Sequence, residues 1–177
     1  MLRRTVLVAL LLVAVGCNPT PQAPALRDSP VYQNKSAGFR FLVPQGWRQM
    51  ATASLPDKLE QEFLVARYGL TTSPQGAMFE VMCFEPMGEF DAQKHHSGPS
   101  HGAKEWSPVK EEAKAGGPPV REDRQMFSAS LAGKPTVKEV INVTKGNRVF
   151  SFIGLYGPSD SAAKEEIRRA VESLQWE

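Results

Sequence analysis

Arg148-Val149-Phe150-Ser151-Phe152-Ile153-Gly154-Leu155-Tyr156 decides the fold. Side chains alternate across a strand, so Val149, Ile153 and Leu155 point one way while Phe150, Phe152 and Tyr156 point the other. Both faces are apolar, which predicts a central strand covered on both sides. Upstream, Arg121 to Leu131 and Thr136 to Thr144 read as two more strands. Gly133-Lys134-Pro135 and Lys145-Gly146-Asn147 are short enough to be tight turns, and tight turns make antiparallel neighbours. Downstream, Pro158-Ser159-Asp160 opens a helix to Leu174. Ala163, Ile167, Ala170, Val171 and Leu174 form one apolar stripe along it. Ile167, Val171 and Leu174 are expected to cover the strand that carries Val149, Ile153 and Leu155. Lys164 and Arg168 read as ordinary surface positions.

Nearer the N-terminus, Val31-Tyr32-Gln33 and Phe39 to Val43 form a strand pair around a turn at Asn34 to Gly38. Glu62 to Tyr68 and Ala77 to Phe84 form another, joined through Ser73-Pro74-Gln75-Gly76. Residues 86–119 are polar and rich in Gly, Pro, Lys and Glu. A helix over Ala103 to Ala115 is one reading of them, although Pro108 must then sit near its first turn or break it. The stretch 88–102 lacks apolar periodicity and holds Gly88, Gly98, Pro99 and Gly102, which predicts a solvated loop and the most mobile part of the domain. The whole pattern is α+β, a central antiparallel sheet with a C-terminal helix packed on it.

The chain begins with Arg3 and Arg4, then ten apolar residues from Val6 to Val15. A membrane-spanning helix needs about 20 apolar residues, so this run is a signal-peptide core. It stops at Ala14-Val15-Gly16-Cys17, which resembles the lipobox of bacterial lipoproteins, with Ala14 where the commonest lipobox has Leu. The resemblance implies that residues 1–16 are cleaved and that Cys17 is lipidated with diacylglycerol and an amide-linked acyl group such as palmitate. Arg3-Arg4 hints at twin-arginine export, but a bare Arg-Arg is a weak signal and the general secretory route is expected. Asn18 to Pro30 contains four prolines and few apolar residues. Such a segment cannot bury enough surface to offset its ordering entropy, so residues 17–30 read as the lipidated Cys and an extended tether. Residues 31–177 remain as a single domain. The expected location is the cell membrane or outer membrane, with the domain facing the periplasm or exterior.

Cleavage would remove two arginines and no acid, leaving 19 basic against 19 acidic residues. A neutral chain without a basic stripe excludes nucleic acid as the expected partner. Cys83 then has no cysteine to pair with inside the domain, and its apolar surroundings read as a buried strand position.

Candidate chemistry is sparse. Gly98-Pro99-Ser100-His101-Gly102 fits the G-x-S-x-G string of a serine hydrolase. That motif requires a buried strand before the serine, and Asp91 to Ser97 is too polar for one. The only histidine after Ser100 is its neighbour His101, so the chain order serine, acid, histidine is absent. The histidines His95, His96 and His101 cluster, with Glu89 and Asp91 near in sequence, and are candidate metal ligands in a small-ligand or metal carrier built on 88–102. Their spacing matches no established site. Neither a phosphate loop nor a dinucleotide fingerprint is present, and no cofactor is expected.

Gly38-Phe39-Arg40-Phe41-Leu42-Val43-Pro44-Gln45-Gly46-Trp47 resembles the opening strand and Pro-x-Gly-Trp turn of PsbP-like domains. Phe150 to Tyr156, followed by a helix and Leu174-Gln175-Trp176, resembles the end of such domains. The likeness implies an α-β-α sandwich around an antiparallel sheet, of the kind found in photosystem II extrinsic subunits, a nuclear Ran-binding protein and DcrB-type envelope lipoproteins. These mostly bind partners and share no catalytic residues. The expectation is therefore a non-enzymatic binding or assembly module of the cell envelope, held to the membrane by Cys17 and meeting a protein partner there. Its binding residues are unknown, and Trp47 reads as a packed core or turn residue.

Overall fold

The computed structural model describes residues 30–70, 73, 76–110 and 123–177. Residues 1–29, which include the expected signal peptide, Cys17 and the expected tether, lie outside the described residues, as do parts of the 73–76 loop. Among the described residues no helix is long and apolar enough to cross a membrane.

Among the described residues ten strands and two helices follow in chain order: β1 (Val31–Asn34), β2 (Phe39–Leu42), β3 (Arg48–Thr52), β4 (Phe63–Leu70), β5 (Ala77–Phe84), α1 (Ala92–Ser97), β6 (Ser107–Val109), β7 (Arg124–Leu131), β8 (Lys134–Lys145), β9 (Arg148–Tyr156), α2 (Ser161–Glu172) and β10 (Gln175–Trp176). Seven strands form one sheet in the order β3-β4-β5-β9-β8-β7-β6, and β1-β2-β10 form a smaller one. Every pairing is antiparallel. As its sequence predicts, β9 lies at the middle of the large sheet, and Val149 to Tyr156 are all buried.

One face of the large sheet packs under α2 and the small sheet. Phe39 and Phe41 of β2 meet Phe150 and Phe152 of β9 in edge-on ring contacts. Ala163, Ile167, Ala170 and Val171 belong to the same core, as do Trp47 and Cys83. The helix stripe covers the expected strand but its opposite face: Phe150, Phe152 and Tyr156 lie under α2, whereas Ile153 and Leu155 belong to a second core. Helix α2 is capped by Asp160, whose carboxylate accepts from the Ala163 N–H at 3.0 Å. Arg168 is no ordinary surface residue. Its guanidinium donates to the buried carboxylate of Glu139 at 2.9–3.2 Å.

The second core covers the other face with Ala103, Trp106, Phe127, Val140, Ile153 and Leu155. Here the helix read over 103–115 is corrected. Ala103 and Trp106 are buried in a turn and Ser107–Val109 is an edge strand on β7; residues 111–115 lie outside the described residues. Pro108 explains the choice, because proline disfavours helical backbone at the preceding residue and is tolerated on a sheet edge. The β7–β8 turn is Ala132-Gly133, not Gly133-Lys134-Pro135, because Leu131 already pairs with Lys134. Both turn residues have positive φ, 48° and 80°, as the favoured two-residue hairpin turns require.

Candidate functional site

Strand alternation gathers an unusual set of polar residues on the face opposite α2. β5 contributes Glu80, β8 contributes Lys138 and Asn142, β9 contributes Ser151, and β4 contributes Arg67. Glu80, Lys138 and Ser151 are each 0–1 % exposed. Burying a charge costs several kcal/mol unless it is paired, on the order of what one ion pair returns, so each must find a partner. The segment 91–106 supplies most of these partners.

Asp91 starts that segment by accepting from the Lys94 N–H at 2.9 Å, which caps α1. α1 brings His95 and His96 down onto the sheet. The solvated-loop reading of 88–102 is thereby corrected: His96 is 4 % exposed. Its Nε2 lies 3.1 Å from Asn142 Oδ1, which also accepts from Ser151 Oγ at 2.6 Å. Because that oxygen is an acceptor, Nε2 carries the hydrogen. Burial drives the His96 pKa down to about 4, against the opposing pull of the Asn142 hydrogen bond.

Lys138 ties the segment to the sheet. Its ammonium donates to the His96 carbonyl at 2.5 Å and to Ser100 Oγ at 3.2 Å. It sits 4.4 Å from the centre of the Trp106 ring and 5.3 Å from that of Phe127. Burial lowers its pKa to about 8. Trp106 closes the turn by donating from Nε1 to the Ser100 carbonyl at 3.2 Å and from its backbone to the Ser97 carbonyl at 2.9 Å. Ser100 therefore sits in a turn bridged to Ala103, not at a strand-to-helix elbow. Its Oγ faces an ammonium enclosed by two aromatic rings, an arrangement that clamps the segment.

The three histidines take different hydrogen-bond partners, although the His95 and His96 rings touch edge-on with centroids 4.7 Å apart. His95 Nε2 lies 2.8 Å from Glu62 and its ring stacks on Phe84. The His95 hydrogen bond holds Glu62 below the usual carboxylate range despite partial burial. His101 Nε2 lies 2.5 Å from Glu80 Oε1, while Arg67 donates to Glu80 Oε2 from Nε at 2.9 Å and Nη2 at 2.8 Å. Burial pushes the Glu80 pKa up, but the hydrogen bonds and charges of His101 and Arg67 outweigh it and hold it low. Among the described residues, no group of three His, Cys, Asp or Glu is placed to hold a metal ion. Glu89 and Asp91 do not converge on the histidines, as Asp91 caps α1 instead. Cys83, on the α2 face, is wholly buried and burial raises its thiol to about 11.

Beside His101 the face opens into a pocket of about 330 Å³ lined by Arg67, Met78, His101, Leu131, Lys134 and Leu155 among others. Of these, sequence reading singled out only His101. The signal for the rest of the site is an ionisable residue inside an apolar strand: Glu80 within Ala77 to Phe84, and Lys138 between Val137 and Val140.

No protein-family model and no curated protein matches the chain. Solved structures do. CyanoP, the PsbP protein of Synechocystis sp. PCC 6803, superposes with a TM-score of 0.50 at 12 % identity, over 90 % of this chain and 99 % of that one. The Ran-binding protein Mog1p of Saccharomyces cerevisiae gives 0.52 at 9 % identity, over 84 % and 95 %. A Bacteroides thetaiotaomicron structure gives 0.47 at 11 % identity, and this chain covers only 48 % of its length. The likeness to the first two is one of fold: the domain has the α+β PsbP-like architecture.

Proposed function

We propose that this chain is a membrane-tethered, non-enzymatic binding module of the bacterial cell envelope, anchored through lipid on Cys17 and meeting a protein partner with its folded domain. The observation that carries the reading is the closure of the polar face. Glu80, Lys138, His95 and His96 are each committed to a partner inside the domain. A catalytic constellation needs a reactive group turned toward substrate, and these groups are turned toward partners within the domain. The fold serves partner binding in Mog1p, a Ran-binding protein. The lipobox at Ala14–Cys17 and the proline-rich 18–30 segment support an anchored location. Acyl chains contribute about 0.8 kcal/mol per buried CH₂, so two or three on one residue hold durably.

The test is recovery of the tagged full chain from native membranes, with mass spectrometry of its N-terminus and of whatever accompanies it. The expected result is an acylated Cys17 and one envelope protein in near-stoichiometric amount that survives a salt wash. An unmodified Cys17 ends the anchoring claim, and a chain that purifies alone ends the binding claim. The small-ligand alternative draws support from the pocket beside His101. Its metal version draws no such support, since among the described residues no group of three His, Cys, Asp or Glu is placed to hold a metal ion.

A further inference from the structure

We propose that the pocket beside His101 is a binding site for a small aliphatic carboxylate. The proposal goes beyond the protein-binding reading and does not depend on it. β9 provides the floor with Leu155. Met78, which pairs with Leu155 across β5 and β9, forms one wall, and the β7–β8 turn forms the other with Leu131 and Lys134. Arg67 and His101 close the remaining side. The volume, about 330 Å³, lies at the lower end of the range in which small-molecule sites fall.

The charge of the pocket is positive and directed. Glu80 lies beneath it, wholly buried, and holds both Arg67 and His101 in place. Arg67 spends Nε and Nη2 on Glu80, which leaves Nη1 for the pocket. Lys134, at the exposed rim, makes no ion pair with a described residue. One buried carboxylate is thus set against the cations of Arg67 and Lys134, with His101 beside them. Arginine and lysine together recognise a carboxylate by charge-assisted hydrogen bonds. The apolar walls decide between anions, since a phosphate or sulfate keeps its hydration and gains nothing from Met78, Leu131 and Leu155, whereas an alkyl chain gains from all three.

His101 and Gly102, at φ 55° and 87°, are the two residues of a tight turn closed by the Ser100–Ala103 bridge, which fixes where the His101 ring stands at the pocket edge.

The probe is octanoate, titrated into the full chain carrying Cys17→Ser so that acyl anchors do not compete, and followed by the methyl NMR signals of Met78, Leu131 and Leu155. Saturable shifts confined to these methyls are expected, with a dissociation constant at or below about 1 mM. Lys134→Glu, an exposed change that leaves the core intact, should weaken binding about fivefold or more. Lys104→Glu, on the same face outside the pocket, should leave it unchanged. Octanol, equally apolar but uncharged, should bind more weakly than octanoate. Shifts that fail to saturate, equal binding of octanol, or equal affinity in Lys134→Glu would each overturn the proposal. None of these results bears on whether a protein partner accompanies the chain from membranes.

Discussion

Ile167 of α2 occupies the space above Gly154 of β9: a β-carbon built on residue 154 would lie 2.7 Å from Ile167 Cγ2 and 3.0 Å from its Cδ1. Real β-carbons do not approach that closely, so the helix rests on this sheet position because it has no side chain. Gly154→Ala should overpack the contact and cost about 1–3 kcal/mol. Ile167→Ala should cost about 2–5 kcal/mol by leaving a cavity. The two changes touch the same space, so the double variant should be more stable than the sum predicts, by about 0.5 kcal/mol or more. Urea denaturation midpoints of the four proteins check this, and strict additivity would show that the helix does not depend on the missing β-carbon.

Arg168 lies on the flank of α2, its side chain 21 % exposed, and reaches Glu139, which is 3 % exposed. Arg124 and the Tyr156 hydroxyl reach the same carboxylate at 3.0 Å and 2.6 Å. Arg168→Ala leaves the buried charge with fewer donors, and a hydrogen bond to a charged group is worth about 1.5–3 kcal/mol. A loss of that order is expected in thermal or chemical denaturation. Arg168→Lys should recover only part of it, since an ammonium lacks the guanidinium fork. A change below about 0.5 kcal/mol for Arg168→Ala would return this residue to the ordinary surface class.

What the sequence made legible and what it hid follow from the length scale of the signal. β9 was readable because nine consecutive residues carry two apolar faces at once. The stripe on α2 was readable over twelve residues, but periodicity says only that a face is covered, never which side of the strand meets it. α1 is six residues long and β6 three, too short for a period to emerge from polar sequence. The candidate site stayed hidden for a different reason. Its polar partners lie far apart in the chain, Lys138 with His96 and Glu80 with His101, and only the β5-β9-β8 order brings them together. Read in isolation, a Gly- and Pro-containing stretch with three histidines looks solvated, since nothing local says that a buried ammonium awaits the His96 carbonyl and the Ser100 hydroxyl.

His96 makes the fold sensitive to mild acid. Its folded pKa is about 4 against an ordinary 6.5, so below pH 6.5 the unfolded chain takes up a proton that the folded domain refuses. The stabilisation is present above pH 6.5 and is lost as the pH falls toward 4. Each unit of that window corresponds to about 1.4 kcal/mol, so His96 should lower stability by about 2 kcal/mol between pH 6.5 and 5. Glu62 and Glu80, held below their ordinary 4.5, add their own losses only at lower pH. His96→Gln keeps an N–H donor for Asn142 and does not titrate. The difference between the two proteins' denaturation midpoints should therefore shrink or reverse from pH 7 to pH 5, and parallel profiles would mean that His96 is not buried in its neutral form.

Lys138 is the link between the large sheet and the segment that covers it, and its removal should loosen the segment more than the domain. Lys138→Met preserves volume and contact with Trp106 and Phe127 while deleting both donations, to the His96 carbonyl and to Ser100 Oγ. Two opposing effects follow. Unsatisfied acceptors cost about 1–3 kcal/mol, whereas relieving a buried charge stabilises by a comparable amount. The global midpoint should therefore move little. The local effect has no such offset, because the 96–100 turn loses its tie to β8. The Trp106 N–H, bonded to the Ser97 carbonyl at 2.9 Å, reports it directly. Its hydrogen exchange should accelerate about tenfold or more, equivalent to about 1.4 kcal/mol of easier opening, while amides of the β8–β9 ladder keep their protection. Equal acceleration in both places would mean that Lys138 supports the whole sheet, and no acceleration at Trp106 would mean that the aromatic packing alone holds the segment down.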